Sequence, residues 1–305
     1  MKALLLTVLT LTLSSLLHAE EGVIAMQPGE NVYYHATIIN KNKPTLVLLP
    51  GIYRGLNEDD EIIQILKTKK VNYVAIHFSG HPSSIMQLNP NEKAIFANGR
   101  GLTSEMLAHE VEAVVVALEI KKPVAVSLSY SSTVVPFLNL EQFPLVIETA
   151  PLGFFGDDDP VGTAQRKAWA DWLKLWPGNY FWLEAAKDKA YRDHWAPIAA
   201  DRATDYENLD ADLLTDGYIA MTRASENFDL RQQDFSTTAR RIWILAENEL
   251  ASRREIQGEA VQINNETSKT NQIPIIIANS GHTIPSEQPK AYAQALIKIL
   301  AAEFK

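Results

Sequence analysis

Pro123-Val-Ala-Val-Ser-Leu-Ser-Tyr-Ser-Ser132 reads as a buried strand that stops at a serine and restarts as a helix. Pro123 to Leu128 is short, apolar and rich in valine, the pattern of a parallel strand covered on both faces. Tyr130 to Leu138 can continue as a helix, although Pro136 removes an N–H and is expected to shorten or kink it. Ser129 sits at the turn.

Outward from this stretch, short apolar runs alternate with helical ones. The expected strands are Thr45 to Leu49, Tyr73 to Phe78, Val124 to Leu128, Leu145 to Glu148, Ile242 to Leu245 and Ile273 to Ile277. Strands alternating with helices predict an α/β protein with a mostly parallel, doubly wound sheet. Ahead of them, Gly22 to Met26 and Val32 to Asn40 read as an antiparallel pair joined through Gln27-Pro-Gly-Glu30. The clearest helix spans Glu105 to Ile120, with Leu107, Val111, Val114, Val115 and Leu118 on one face and Thr103 or Ser104 as its cap. A last helix is expected over 287 to 304, with Ala291, Ala295, Ile297 and Leu300 among its apolar positions.

Bulk properties narrow the classes. The chain has 305 residues, 46% hydrophobic and 21% charged, enough to bury a large core. A formal charge of -9 and no basic run argue against a nucleic-acid partner. Cysteine is absent, which excludes disulfides, a thiol nucleophile and a cysteine-rich metal site. Residues 1 to 19, MKALLLTVLTLTLSSLLHA, carry one lysine, an apolar run and a terminal small residue. They read as a secretory signal peptide cleaved after Ala19, too short in its apolar part to span a membrane. The mature chain is therefore expected in the periplasm or outside the cell, with no transmembrane anchor.

Between Leu152 and Thr238 the strand rhythm disappears. Residues 153 to 238 hold sixteen acidic and nine basic side chains and five of the six tryptophans (Trp169, Trp172, Trp176, Trp182 and Trp195). This segment is read as a helical cap inserted into a core made of residues 20–152 and 239–305. A tryptophan stripe at helical spacing is more often packing than a substrate cradle.

The segment Ser127-Leu-Ser-Tyr-Ser131 resembles the nucleophile elbow G-x-S-x-G of the α/β-hydrolase family, with Ser127 and Ser131 in the glycine places. Ile273 to Ile277 followed by Ala278-Asn-Ser-Gly-His-Thr-Ile-Pro-Ser-Glu-Gln-Pro289 is similar to the family segment in which Gly-His follows the final strand and Glu-x-Pro leads into the closing helix. Ala246-Glu-Asn-Glu249 resembles its Gly-x-x-Asp, and Leu49-Pro-Gly-Ile52 its strand followed by His-Gly, with Pro50 for the histidine. Phe78-Ser-Gly-His-Pro-Ser83 looks like its Gly-His-Gly-x-Ser loop, with Pro82 for the second glycine.

The resemblance implies an exported serine hydrolase, a carboxylester hydrolase by default, needing no cofactor and acting on a small-molecule ester or other acyl substrate. It implies Ser129 as nucleophile, His282 as general base and Glu249 as the acid that orients the imidazole. Glu247 is the neighbouring alternative, and Asp157, Asp158 or Asp159 would serve if the acid followed the preceding strand. The oxyanion donors it implies are the backbone N–H groups of Ile52, with Tyr53 as near alternative, and Tyr130. His77 and His81 could suggest a metal pair, but no further ligand cluster accompanies them, so no metal is expected. The rival reading is a non-enzymatic protein of the same fold that binds a ligand or partner.

Overall fold

The computed structural model describes residues 18–27, 30–52, 55–85, 87–91, 102–155, 221, 224–225, 228–237, 239–249 and 251–305. In chain order the elements are β1 (His18–Gln27), β2 (Glu30–Ile38), β3 (Thr45–Leu48), α1 (Glu61–Thr68), β4 (Asn72–His77), α2 (Pro82–Ile85), α3 (Ser104–Ala117), β5 (Pro123–Leu128) and β6 (Leu145–Thr149). There follow β7 (Phe154–Phe155), β8 (Phe228–Asp229), β9 (Arg240–Ala246), α4 (Ala251–Ser268), β10 (Ile275–Ile277), α5 (Ile284–Glu287) and α6 (Pro289–Glu303).

Among the described residues, eight strands form one sheet in the order β1-β2-β4-β3-β5-β6-β9-β10. Only β2 runs against the rest, pairing antiparallel with both β1 and β4, while β4, β3, β5, β6, β9 and β10 are parallel. The expected alternation of strand and helix is therefore realised, with boundaries shifted by up to three residues. Strand β1 begins at His18, ahead of the expected cleavage point, but its pairs from Glu20↔Ala36 to Gln27↔Glu30 lie beyond it.

Alternate side chains of each parallel strand enter two different cores, which is why these strands read as unbroken apolar runs. Val47 and Leu49 pack with Val111, Val114 and Tyr130 on the face covered by α3. Leu46 and Leu48 pack with Ile62, Leu66, Tyr292 and Leu296 on the face covered by α1 and α6. All five apolar residues assigned to the α3 face are buried, and Thr103 caps the helix by accepting the Met106 N–H at 3.1 Å. In α6 the buried positions are Tyr292, Ala293, Ala295, Leu296 and Ile299, so the buried stripe lies to one side of the expected one.

Two expectations change. The segment after Ser129 is not an α-helix: it forms two short 3₁₀ stretches, Ser129–Thr133 and Val135–Phe137. Pro136 has no N–H to give Ser132 O, and that carbonyl instead faces Gln233 Nε2 at 3.5 Å. Helix α4 was not anticipated, because its buried positions Gln257, Ala260, Val261 and Asn264 are half polar and leave no apolar period.

Of the inserted segment, the described parts are its two ends. Strands β7 and β8 pair antiparallel, and Leu230 N–H reaches Gly153 O at 3.0 Å, so the chain returns to the core next to where it left. These parts are strand at β7 and β8, a 3₁₀ turn at Leu230–Gln232, and helix at Met221 and Ala224. The helical cap, its five tryptophans, Asp157 to Asp159, Tyr53 and residues 1–17 of the leader lie outside the described residues. Among the described residues no helix is long and apolar enough to cross a membrane.

Candidate active site

The carboxyl ends of β3, β5, β6, β9 and β10 lie side by side, the edge of a parallel sheet at which loops can converge on a ligand. Strand β5 lies between β3 and β6 in this set and ends at Leu128. Ser129 then has φ 50°, a left-handed conformation that a residue with a Cβ rarely adopts. Such strain costs of order 1–3 kcal/mol and persists only where neighbouring contacts enforce it.

Those contacts are visible. Leu152 N–H reaches both Ser129 O and Ser132 Oγ at 3.0 Å, and Ser132 Oγ donates to Ser129 O at 2.7 Å. Leu128 N–H donates to Ser131 Oγ at 2.7 Å. Ser131 and Ser132 are fully buried and engaged in these turn contacts, and Ser127 is fully buried against Glu148, whereas Ser129 is half-buried. The four neighbouring serines are thus distinguished by exposure as well as by backbone shape.

Ser129 Oγ lies 2.6 Å from His282 Nε2, a contact between residues 153 positions apart. His282 Nδ1 lies 2.5 Å from Glu249 Oε2. The Glu249 side chain is almost wholly buried, and the imidazole is 14% exposed. Hydroxyl, imidazole and carboxylate form one hydrogen-bonded line, each member from a different strand end. Glu247, the alternative acid, is exposed and accepts the Asn279 N–H at 2.7 Å.

The loop carrying the acid is held by Arg254, whose Nη2 donates to Glu247 O at 2.8 Å and Glu249 O at 3.0 Å. Arg253 Nη1 stands 3.7 Å from Glu249 Oε1. The loop carrying the histidine is held by Glu287. One of its oxygens accepts Gly281 N–H at 2.6 Å, and the other accepts Thr283 N–H at 3.1 Å and Thr283 Oγ1–H at 2.7 Å. The sequence contained Glu287 only as the first residue of a Glu-x-Pro likeness. Its spacing of four from Thr283 was the available signal.

Tyr130 turns its phenol away from the strand end, donating to Met221 O at 2.7 Å within the core, and burial pushes that phenol well above its usual range. Its peptide N–H is the first after Ser129. Ile52 lies on the loop after β3, where Leu49 N–H still pairs with Val126 O at 2.9 Å. Adjacent strands therefore deliver the two peptides that sequence likeness proposed as oxyanion donors. Further along this loop Gly55 N–H donates to His81 Nε2 at 2.9 Å, and His35 Nε2–H donates to Leu56 O at 2.5 Å. A Cβ at Gly55 would stand 2.2 Å from the His77 ring, so only glycine fits beside it.

His77 Nδ1 and His81 Nδ1 are 3.2 Å apart, which requires one to donate to the other. Desolvation lowers the pKa of neighbouring His35 and favours its neutral form. Among the described residues no group of three or more His, Asp or Glu side chains is arranged to hold a metal ion.

The strand order, the single antiparallel β2 and the site at the end of β5 define the α/β-hydrolase fold. Solved structures agree. The chain is similar to a carboxylesterase of the thaumarchaeon Nitrososphaera gargenis, with a TM-score of 0.69 and 15% identity over 92% of this chain and 98% of that one. It is also similar to a thermophilic esterase from Thermogutta terrifontis (TM-score 0.65, 15% identity, 93% and 99% covered) and to the enol-lactonase from Burkholderia xenovorans (0.67, 16%, 91% and 99%). No family model and no curated protein sequence matches the chain.

Proposed function

We propose that this protein is an exported serine hydrolase that cleaves a carboxylic ester through an acyl-enzyme. The observation that carries this reading is the hydrogen-bonded line Ser129 Oγ, His282 Nε2, His282 Nδ1, Glu249 Oε2, with 2.6 Å and 2.5 Å at its two contacts. A binding role has no need of such a line, nor of a strained nucleophile turn. The esterase and lactonase activities of similar folds add support by analogy.

In the reaction, Ser129 Oγ attacks the ester carbonyl carbon while its proton passes to His282 Nε2. Glu249 accepts the Nδ1–H, keeps the imidazole in the right tautomer and stabilises the imidazolium that forms. The carbonyl oxygen takes the negative charge and is held by the N–H groups of Ile52 and Tyr130. Collapse of the tetrahedral adduct breaks the bond to the alcohol, which leaves with the proton from Nε2. Water then attacks the acyl-enzyme by the same proton route and frees the acid and Ser129.

The test is labelling with a fluorophosphonate probe beside Ser129→Ala and His282→Ala. Wild type should label once and hydrolyse p-nitrophenyl esters; both variants should lose these activities. Labelling that survives Ser129→Ala would overturn the assignment, and a folded, unreactive wild type would favour the binding-protein reading. Export belongs to the same proposal, and amino-terminal sequencing of protein recovered outside the cytoplasm should begin at Glu20.

A further inference from the structure

We infer that Ser127 and Ser131, which stand where the family's elbow carries glycines, are positioning residues that hold Ser129 and both oxyanion peptides in register; this rests on the hydrolase reading above. Glycine at these places leaves room for a tight turn but makes no side-chain bond. Both serines are fully buried here, so each hydroxyl must find partners, and those partners lie on the elements that build the site.

Ser131 Oγ accepts Leu128 N–H at 2.7 Å and turns its own hydrogen toward Leu128 O at 3.2 Å and Leu49 O at 3.4 Å. Leu128 is the peptide before the nucleophile. Leu49 immediately precedes Pro50-Gly51-Ile52. One hydroxyl therefore sits between the strand end that supplies the Tyr130 N–H and the strand end that supplies the Ile52 N–H.

Ser127 acts from the other side. Its hydroxyl donates to Glu148 Oε2, directly across the β5–β6 ladder. Glu148 Oε1 accepts Arg241 Nη1–H at 2.8 Å, and the same nitrogen donates to Gln233 Oε1 at 3.0 Å. The guanidinium lies 5.0 Å over the Phe235 ring, and Gln233 Nε2 returns to Ser132 O at 3.5 Å. The turn around Ser129 is thus gripped before and after the nucleophile by one connected set of polar groups, Ser127, Glu148, Arg241, Gln233 and Ser132. Restoring the family glycines would remove the hydroxyl contacts of Ser127 and Ser131 and leave a Glu148 oxygen without its donor.

The experiment compares Ser127→Ala, Ser131→Ala, Ser127→Gly and Ser131→Gly with wild type, using p-nitrophenyl butyrate turnover and active-site titration with the fluorophosphonate. Each variant should titrate to one site, melt above the assay temperature and lose about tenfold in kcat with KM within about twofold, because misplaced reacting groups lower turnover more than binding. Unchanged or faster kcat in the glycine variants would overturn the inference. So would variants that melt lower but keep wild-type kcat per titrated site, which is what a merely structural role would give. If the glycine variants do not fold, the alanine variants decide by the same criteria. A wild type that neither labels nor turns over sinks the hydrolase reading instead, a distinct result.

Discussion

Glu287 brackets His282 without touching its ring: one carboxylate oxygen accepts the N–H of Gly281 at 2.6 Å and the other the N–H of Thr283 at 3.1 Å. The peptides on both sides of the imidazole are thereby fixed, and with them the distance from Nε2 to Ser129. Glu287→Ala should lower kcat by about tenfold to hundredfold with little change in KM, since small displacements of reacting groups have costs of that order. Glu287→Gln, which keeps one acceptor, should fall between. Equal kcat in all three proteins, measured at saturating ester, would reject the bracket as a functional feature.

The choice between the two neighbouring acids has a direct kinetic expression. Glu249→Gln should reduce kcat by about a thousandfold or more, because an amide oxygen no longer stabilises the imidazolium and the tautomer is lost. Glu247 is exposed and bonds a peptide N–H, so Glu247→Gln should stay within about twofold of wild type. A reversed pattern would move the acid to Glu247.

Glu110 on α3 is fully buried, accepts Ser79 N–H at 3.1 Å, and is pushed up to about 8 by desolvation. The folded state therefore keeps a proton that the unfolded chain gives up near 4.5. Between these values the unfolded state binds fewer protons, so this group's contribution to stability falls as pH rises, by about 1.4 kcal/mol per unit. Glu110→Gln should remove that slope. In urea unfolding at pH 5.5 and 7.5, the stability of the variant relative to wild type should rise by about 2–3 kcal/mol. Parallel pH dependences of the two proteins would contradict this.

Arg241 and Glu148 form a buried ion pair at 2.8 Å, with side chains 1% and 0% exposed. Desolvation raises the pKa of Glu148 and lowers that of Arg241, opposing the charge on each. Their contact offsets that penalty only while both are present. Arg241→Met should cost about 3–5 kcal/mol by stranding Glu148, and adding Glu148→Leu should recover most of the loss. Denaturant melts of the two variants check this; a double variant no more stable than the single one would contradict it.

The frame of the fold is legible in local pattern. Short apolar runs separated by helical ones specify a parallel sheet because backbone pairing and two-sided burial leave a local, periodic trace, and the elbow at Ser129 and the loop at His282 are marked by where such runs stop. Helix α4 left no such trace, since two of its buried positions, Gln257 and Asn264, are polar; Gln257 Nε2 bonds Pro151 O at 2.9 Å. Pro136 announced a disturbance, but the return of Ser132 O to Gln233 depends on a residue about a hundred positions away.

Which acid meets the imidazole depends on the assembled fold. Glu247 and Glu249 are two residues apart and chemically equivalent, and in a strand they would share a face; both lie instead in the turn after β9, which separates them, and the Nδ1 contact at 2.5 Å belongs to Glu249. The assembled fold also decides what Ser127 and Ser131 are doing. Read along the chain they are departures from a glycine pattern, whereas in space their hydroxyls join Glu148, Leu128 and Leu49 around the strained residue. Propensity and periodicity act over a few residues and can be read in order, but a hydrogen bond depends on through-space distance, which exists only once the sheet has assembled.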